Sequence, residues 1–183
     1  MKYPIMEIEE LLISSGAVKF GSFTLSSGKR SDYYIDIKSA VASSKVLLKE
    51  ICSRISEEVT AGKVAGVELG AIPLLAASAY ALGIPFVIIR KEEKAHGVKD
   101  PIIGNIEPGE EIEIIEDVVT TGASVLRAAR LLRGRGAVVR RVVCVVDRED
   151  AGAGNLKSEG IELVSLSKAS DLVKANGRVP RKM

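Results

Sequence analysis

Short apolar runs rich in β-branched residues alternate along the chain with longer segments that have helical spacing. Four such runs are predicted as the central strands, at Val64–Val67, Phe86–Ile89, 112–115 and 142–146. Three of the four are almost continuously apolar, which is typical of strands covered by helices on both faces. This alternation predicts an α/β domain with a mostly parallel central sheet flanked by helices.

The segments between these strands carry apolar residues at the spacing of one helix face. Helices are predicted at 44–59, 73–82 and 122–133. Ser43 or Ser44 can cap the start of the first helix, and Gly83 is suited to the C′ position of the second. Each helix therefore lies in a connection between two strands of the sheet.

The N-terminal part of the chain has a different pattern. A short helix is predicted at 5–13, and two strand-like segments at 19–25 and 33–37. We expect about residues 1–40, together with the C-terminal segment, to form a small cap (hood) on a core of about residues 41–166. The whole chain, 1–183, is expected to be a single domain.

Composition limits the class of protein. The chain has 183 residues, 46% hydrophobic and 27% charged, and a domain of this size buries enough surface to need no disulfide or metal. Cys52 and Cys144 lie in apolar segments and are expected to be buried, unpaired thiols, and a single histidine nearly excludes a zinc site. No apolar run approaches the roughly 20 residues that span a bilayer. Residues 1–7 do not resemble a signal peptide, so we expect a cytoplasmic protein without a membrane partner.

The formal net charge of +2 conceals an uneven distribution. An acidic stretch over residues 107–117 precedes a run of arginines over residues 127–141. We interpret the arginines as a solvated helix face and the basic C-terminal residues as a loose tail. The near-neutral balance argues against nucleic acid as a partner, although the tail could contact it weakly.

The most informative segment, residues 112–124, runs from a strand into a helix through a turn of small residues. Ligands of open α/β sheets bind at the carboxyl ends of strands, and a helix start offers unpaired N–H groups that suit a phosphate. Glu116 and Asp117 would repel phosphate, but they can accept hydrogen bonds from vicinal hydroxyls or bind Mg²⁺. The combination predicts a ribose 5-phosphate site; the alternative is an acidic strand end and a cap cluster without a ligand. The candidate residues are Glu116, Asp117, Val118, Val119, Thr120, Thr121, Gly122, Ala123 and Ser124.

A basic segment follows the strand at Phe86–Ile89 and opens the long connection of residues 90–109. It contains Arg90, Lys91, Lys94 and the only histidine, His96. Such cations can stabilise a departing diphosphate, and a histidine can supply a proton near neutral pH. A solvated charged loop is the alternative, but connections of this length are usually functional or mobile.

Residues 112–124 resemble the phosphoribosyl-diphosphate signature of type I phosphoribosyltransferases, with Glu116 where Asp is usual. The spacing Arg-Lys-x-x-Lys-x-His-Gly that begins at Arg90 is similar to the basic loop of orotate phosphoribosyltransferases. The resemblance implies the type I phosphoribosyltransferase fold and phosphoribosyl transfer from 5-phosphoribosyl 1-diphosphate to orotate, in pyrimidine (UMP) biosynthesis. It also implies Mg²⁺ carried mainly by the donor, without fixed protein ligands. A homodimer is implied as well, because in this family the basic loop closes over the neighbouring subunit's site.

The resemblance extends from about residue 16 to about residue 171 and assigns further roles. Residues 25–36 look like the family's N-terminal segment beside the base, with Ser26 where some members carry Lys, and residues 68–73 look like its diphosphate loop. Donor contacts are implied for residues 116–124 and for Glu68, Leu69, Arg90, Lys91, Lys94 and His96. Orotate contacts are implied for Lys29, Tyr33, Tyr34, Thr120 and Arg148. The catalytic roles are assigned to Lys94, His96 and Asp117.

Arg148 distinguishes orotate from other bases. A guanidinium at a strand end can clamp a carboxylate with two hydrogen bonds, and orotate, unlike uracil, has one. The alternative is a salt bridge from Arg148 to Asp147 or Glu149. Two other functions stay open: a phosphoribosyltransferase for another base, and a non-enzymatic regulator that senses the donor on this fold. A regulator of transcription should carry a DNA-binding helical domain, and we expect the residues before Gly16 to be too few for one.

Overall fold

The computed structural model describes residues 6–24, 28, 30–91 and 100–177. In this part of the chain, the strands are β1 (Val18–Thr24), β2 (Arg30–Ile35), β3 (Val64–Val67), β4 (Phe86–Ile89), β5 (Ile102–Ile103), β6 (Glu113–Val119), β7 (Arg141–Asp147) and β8 (Glu162–Lys168). The helices are α1 (Ile8–Ser14), α2 (Ile37–Ser43), α3 (Lys45–Glu58), α4 (Ile72–Leu82), α5 (Ala123–Arg133), α6 (Gly152–Ser158) and α7 (Ala169–Ala175).

The central sheet has the strand order β5-β4-β3-β6-β7-β8. All neighbours in it are parallel except β5, which runs antiparallel to β4 at the edge. From β3 the chain builds the sheet first toward β4 and then, on the other side, toward β6. The space between the carboxyl ends of β3 and β6 is therefore the switch point at which open α/β sheets bind ligands.

Helices cover both faces of the sheet. On one face, Leu47 and Ile51 of α3 and Leu75 of α4 belong to the same buried cluster as the sheet residue Ile115. On the other face, the side chains of α5, including Leu132, form a second buried cluster with alternate residues of the strands. Burial on both sides explains why the central strands are apolar at nearly every position.

Local sequence sets the ends of the helices. The Ser44 hydroxyl accepts a hydrogen bond from the N–H of Leu47 (3.2 Å) and so caps α3. Gly83 ends α4 in the left-handed conformation (φ 68°), and Gly122 precedes α5 in the same conformation (φ 76°). A positive φ of this size favours glycine because a β-carbon would be strained there.

The N-terminal part forms a hairpin beside the sheet, since β1 and β2 pair with each other and not with the central strands. Asp36 caps the following helix, α2, through a hydrogen bond from the N–H of Ser39 (3.3 Å). α1 packs against α7 and β8, so the two ends of the described chain meet. The division into a cap of about residues 1–40 and a core of about residues 41–166 stays a prediction.

The predicted fold class is confirmed, and β3 and β4 have the predicted limits. The strand predicted at 112–115 is longer, because the polar residues after it still pair with β7. The prediction of a strand at 33–37 is partly wrong, since β2 ends at Ile35 and α2 begins at Ile37. The edge strand β8 did not stand out in the sequence, because it is only half-buried and lacks a continuous apolar run.

Among the arginines between 127 and 141, Arg130, Arg135 and Arg140 are exposed, as expected for a solvated face, whereas the others are only partly exposed. Three arginines form ion pairs with acidic residues elsewhere in the chain: Arg130 with Glu159 (3.1 Å), Arg135 with Asp100 (2.9 Å) and Arg140 with Glu111 (3.4 Å). Of these three pairs, only the one with Glu111 joins the arginines to the acidic stretch of residues 107–117.

A partly buried ion cluster lies at the amino ends of the central strands. Glu113, 3% exposed, accepts hydrogen bonds from the N–H (3.2 Å) and the hydroxyl (2.6 Å) of Thr60. Arg141 donates to the carbonyl and carboxylate of Glu58 and lies 3.9 Å from Glu113 and 3.5 Å from Glu162. This ion cluster joins α3, β6, β7 and β8 at the edge opposite the switch point.

Cys52 and Cys144 are buried, free thiols, as predicted. Burial raises the pKa of both thiols, which keeps them protonated and unreactive. None of the helices in the described ranges is long and apolar enough to cross a bilayer.

Candidate active site

The carboxyl ends of β3, β4, β6 and β7 bring four predicted segments to one edge of the sheet. The turn of residues 68–70 follows β3, Arg90 and Lys91 follow β4, the acidic pair and small-residue turn end β6, and Arg148 follows β7. A cavity of about 390 Å³ lies between the turn of residues 68–70 and the acidic pair. Parallel strands explain this convergence, because their carboxyl ends all point the same way.

The small-residue turn, residues 120–124, forms a second cavity of about 100 Å³ at the start of α5. Two of its carbonyl groups accept hydrogen bonds from α6. The N–H of Gly152 donates to the Thr120 carbonyl (3.0 Å), and the Asn155 amide donates to the Thr121 carbonyl (3.0 Å). The turn is therefore fixed in place, and the cavity lies at the N-terminal end of α5. That arrangement suits a phosphate group.

The acidic pair is tightly packed. Glu116 is 6% exposed and accepts a hydrogen bond from the N–H of Asp117 (3.1 Å), and Asp117 accepts one from the N–H of Val118 (2.8 Å). Burial, together with the charge and hydrogen bond of Asp117, raises the pKa of Glu116 well above its ordinary value of 4.5. The raised pKa means that folding favours the protonated form of the Glu116 carboxyl.

Asp117 lies directly against the turn after β3. A β-carbon placed on Gly70 would be 2.3 Å from the Asp117 Oδ2 atom, so only glycine fits between the turn and the carboxylate. The peptide bond between Glu68 and Leu69 is cis. The turn and the acidic pair thus form opposite walls of the 390 Å³ cavity, which also reaches Lys91 and Lys38.

Three hydrogen bonds fix the backbone at the start of the basic segment, at Arg90 and Lys91. The N–H of Arg90 donates to the Pro101 carbonyl (2.8 Å), and the Arg90 carbonyl accepts a hydrogen bond from the Arg127 guanidinium (2.8 Å). The N–H of Lys91 donates to the carboxylate of Glu68 (2.8 Å). The Glu68 side chain therefore positions the basic segment, and the donor contact expected for Glu68 stays a prediction.

Arg148 lies at the other side of the acidic pair. Its guanidinium is 4.8 Å from the centre of the Tyr33 ring and donates a long hydrogen bond to the Ser31 hydroxyl (3.4 Å). Asp147 and Glu149 instead accept hydrogen bonds from the N–H groups of Glu149 (2.9 Å) and Ser170 (2.7 Å). The Arg148 Nε atom is buried and has no hydrogen-bond partner within the described residues.

The structure brings most of the predicted site residues together. Thr120, Arg148 and Tyr33 lie near one another, since the N–H of Arg148 donates to the carbonyl of Val119 (2.9 Å). Tyr34 is 39% exposed, and its ring packs against Phe23 (5.7 Å between ring centres). Lys29, Lys94 and His96 lie outside the described residues, so their predicted roles stay predictions.

Four residues of the site were missed in the sequence analysis: Lys38, Arg127, Gly152 and Asn155. None belongs to a recognisable motif, and each acts through a contact between segments far apart in the chain. Arg127 had been interpreted only as part of a solvated helix face. The one available signal was Asp36, which marks the start of a helix that carries Lys38.

Comparison with known proteins shows similarity in both sequence and fold. The model of the phosphoribosyl transferase domain family matches residues 36–176. The orotate phosphoribosyltransferase of Picrophilus torridus is 52% identical over 165 residues, covering 90% of this chain and 99% of the relative. The crystal structure of orotate phosphoribosyltransferase from Aeropyrum pernix has a TM-score of 0.84 at 29% identity, covering 94% of this chain and 99% of that one. The crystal structure of the Mycobacterium tuberculosis enzyme of the same name, in complex with 5-phospho-α-D-ribosyl 1-diphosphate, has a TM-score of 0.70 at 27% identity. The match covers 91% of this chain and 97% of that one.

Proposed function

This chain belongs to the orotate phosphoribosyltransferase family, and from that membership we propose that it transfers the phosphoribosyl group of 5-phosphoribosyl 1-diphosphate to orotate. The products are orotidine 5′-phosphate and diphosphate, a step in the synthesis of UMP. The observation that carries the base assignment is Arg148, whose buried Nε lacks a partner within the described residues. The carboxylate of orotate would supply that partner, and uracil would not.

The donor fits the two cavities at the switch point. Its 5-phosphate would bind in the turn of residues 120–124, at the start of α5, where main-chain N–H groups and hydroxyls are available. Its ribose hydroxyls would then meet Asp117 and Glu116. The diphosphate would extend into the 390 Å³ cavity toward the turn of residues 68–70 and Lys91.

The reaction exchanges one bond at the anomeric carbon for another. The bond from this carbon to the diphosphate oxygen breaks ahead of attack by the orotate ring nitrogen, through an oxocarbenium-like transition state. Orotate is already deprotonated, so the enzyme needs no strong base. The residues contribute by holding both substrates in line and by stabilising the charge that develops on diphosphate. We assign the latter role to Lys94 and His96 of the basic loop, together with Arg90 and Lys91.

Magnesium is proposed to arrive with the donor. No group of three or more His, Cys, Asp or Glu side chains suited to a metal is found within the described residues. Phosphate oxygens of the donor and water would then be the main ligands, which is usual for Mg²⁺. Carried in this way, Mg²⁺ would neutralise part of the charge on the diphosphate.

The decisive experiment mixes the protein with orotate, 5-phosphoribosyl 1-diphosphate and Mg²⁺ and follows the loss of orotate absorbance. We expect turnover with orotate and none with uracil. Arg148→Gln should raise the KM for orotate roughly tenfold to a hundredfold, because a charged hydrogen bond is lost. Turnover with uracil or a purine, but not orotate, would favour a phosphoribosyltransferase for another base. Donor binding without turnover of any base would favour a regulator.

We also propose a homodimer in which the basic loop acts across the interface. Tyr80 of α4, Phe86 of β4 and Ile103 of β5 are exposed apolar residues at one edge of the sheet, and Tyr80 is 90% exposed. A second copy that covers this edge would remove them from water. Mixed Lys94→Ala and Arg148→Ala subunits should regain activity, because one site in the mixed dimer has both intact residues. Failure to regain activity in proven mixed dimers would contradict the shared loop.

We place the reaction in the cytoplasm. The two buried cysteines are both free, which is compatible with a reducing compartment. Cell fractionation followed by the orotate assay tests this location, and activity confined to another fraction would contradict it.

A further inference from the structure

Lys38 of α2 lines the 390 Å³ cavity, and the sequence motifs suggest no role for it. It lies in the N-terminal part of the chain, whereas the other lining residues come from the carboxyl ends of the central strands, the turns after them and the start of α5. Lys38 and Lys91 are the cations among the described lining residues. The remaining charged lining residues, Glu68, Glu116 and Asp117, are acidic.

The ammonium group of Lys38 is held in position. The Asp36 Oδ1 atom accepts hydrogen bonds from the Lys38 Nζ atom (2.8 Å) and from the N–H of Ser39 (3.3 Å). Asp36 thus caps α2 and orients Lys38 at the same time. The Lys38 side chain is still 44% exposed, which leaves room for a second partner on the cavity side.

The charge of this group is secure near neutral pH. The hydrogen bond to Asp36 raises the pKa of Lys38 against the opposing effect of burial, and the charge of Asp117 adds to the increase. Asp36 stays ionised: burial tends to raise its pKa, but the hydrogen bonds from Lys38 and Ser39 lower it overall. A fixed cation therefore lines a cavity whose other charged residues, apart from Lys91, are acidic.

We propose that Lys38 binds the diphosphate group of the donor, in addition to the basic segment that follows β4. This inference rests on the proposed function. The 5-phosphate is excluded as the partner because the cavity at the start of α5 is formed by Glu116 and residues 118–125, without Lys38. Orotate is excluded because the guanidinium that suits its carboxylate lies beside Tyr33 and Ser31.

The test is Lys38→Met, compared with the wild type and with Lys49→Met, which removes an exposed lysine on α3. Binding of inorganic diphosphate with Mg²⁺ is measured by calorimetry, and the KM values of donor and orotate are measured by the absorbance assay. Lys38→Met should weaken diphosphate binding and raise the donor KM roughly tenfold to a hundredfold, as expected for the loss of a charged hydrogen bond. The orotate KM and the Lys49→Met variant should stay near wild type, and Lys38→Arg should restore most of the diphosphate affinity.

Unchanged diphosphate affinity in Lys38→Met would overturn the proposal, and so would a rise in the orotate KM alone. If the methionine variant lowers the unfolding midpoint, Lys38→Gln, which can still donate to Asp36, takes its place. A wild type that does not turn over orotate would contradict the proposed function. The diphosphate titration would still decide the role of Lys38 in that case.

Discussion

At the scale of single residues, two positions require glycine because an atom of another residue lies very close to them, and not because their φ is positive. A β-carbon on Gly70 would lie 2.3 Å from Asp117 Oδ2, and one on Gly152 would lie 2.7 Å from the Thr120 carbonyl oxygen. Real β-carbons do not come this near to other atoms, so a side chain at either position would displace its neighbour. Both neighbours, Asp117 and Thr120, are predicted to contact substrate.

Gly70→Ala should therefore move Asp117 away from the donor ribose. We expect kcat/KM for the donor to fall at least tenfold, a loss of roughly 1.4 kcal/mol of transition-state stabilisation, with little change in the unfolding midpoint. Gly62→Ala is the matched control, because nothing lies within 4 Å of a β-carbon there. Wild-type kcat/KM in Gly70→Ala would show that the position of Asp117 does not matter.

Glu116 makes the free energy of unfolding depend on pH, and the direction of its shifted pKa predicts the direction of that change. Its pKa is raised in the folded chain above the ordinary value of 4.5, so in this window the folded chain binds more protons than the unfolded chain. The contribution of Glu116 to the free energy of unfolding then falls as pH rises from about 4.5 toward the folded-state pKa. Glu116→Gln should be stabilised relative to wild type by an amount that grows with pH and then levels off. Urea unfolding at a series of pH values measures the difference, and parallel curves would contradict it.

At the scale of elements, α5 contributes to both ends of the proposed donor site. Its first residues complete the turn that suits the 5-phosphate, and Arg127, one turn further along, donates to the Arg90 carbonyl (2.8 Å). Arg90 in turn is bonded through its N–H to Pro101, at the far end of the connection that begins there. One helix thus links the turn of residues 120–124 to the start of the basic segment.

Arg127→Met should weaken the positioning of Arg90 without disturbing the turn of residues 120–124. We expect the donor KM to rise severalfold and the orotate KM to change little, as for a positioning residue. Arg130→Met is the control on the same helix, since Arg130 is 67% exposed and pairs with Glu159 instead. Equal donor KM values for the two variants would argue against a positioning role for Arg127, and Arg127→Lys should recover part of the affinity.

At the scale of the whole molecule, the parts that could be predicted are those encoded by neighbouring residues. The apolar runs of β3 and β4 and the small-residue turn before α5 are local patterns, and they predicted the sheet and the candidate phosphate site. Contacts between distant segments have no local signature, which is why Lys38 and Arg127 were missed. The edge strand β8 was missed because it is only half-buried and has Ser165 and Ser167 among its apolar residues, so its apolar pattern is weak.

The ion cluster at the amino ends of the strands should control stability alone. Arg141→Met would leave the buried Glu113 without its cation, and we expect the free energy of unfolding to fall by roughly 3 kcal/mol. Arg140→Met removes an exposed pair and should cost less than about 1 kcal/mol. Urea unfolding measures both losses. Turnover per folded molecule should match wild type in both variants, and a lower value for Arg141→Met would mean that the cluster also supports the site.

The ion cluster and the substrate cavities lie at opposite edges of one sheet, and this separation has a consequence for how the protein can change. Substitutions at distant, unconnected positions add their energies almost independently. A chain that gains stability at the amino edge could then tolerate costly substitutions at the carboxyl edge. New base specificities could therefore evolve, or be engineered, without the usual compromise between stability and activity.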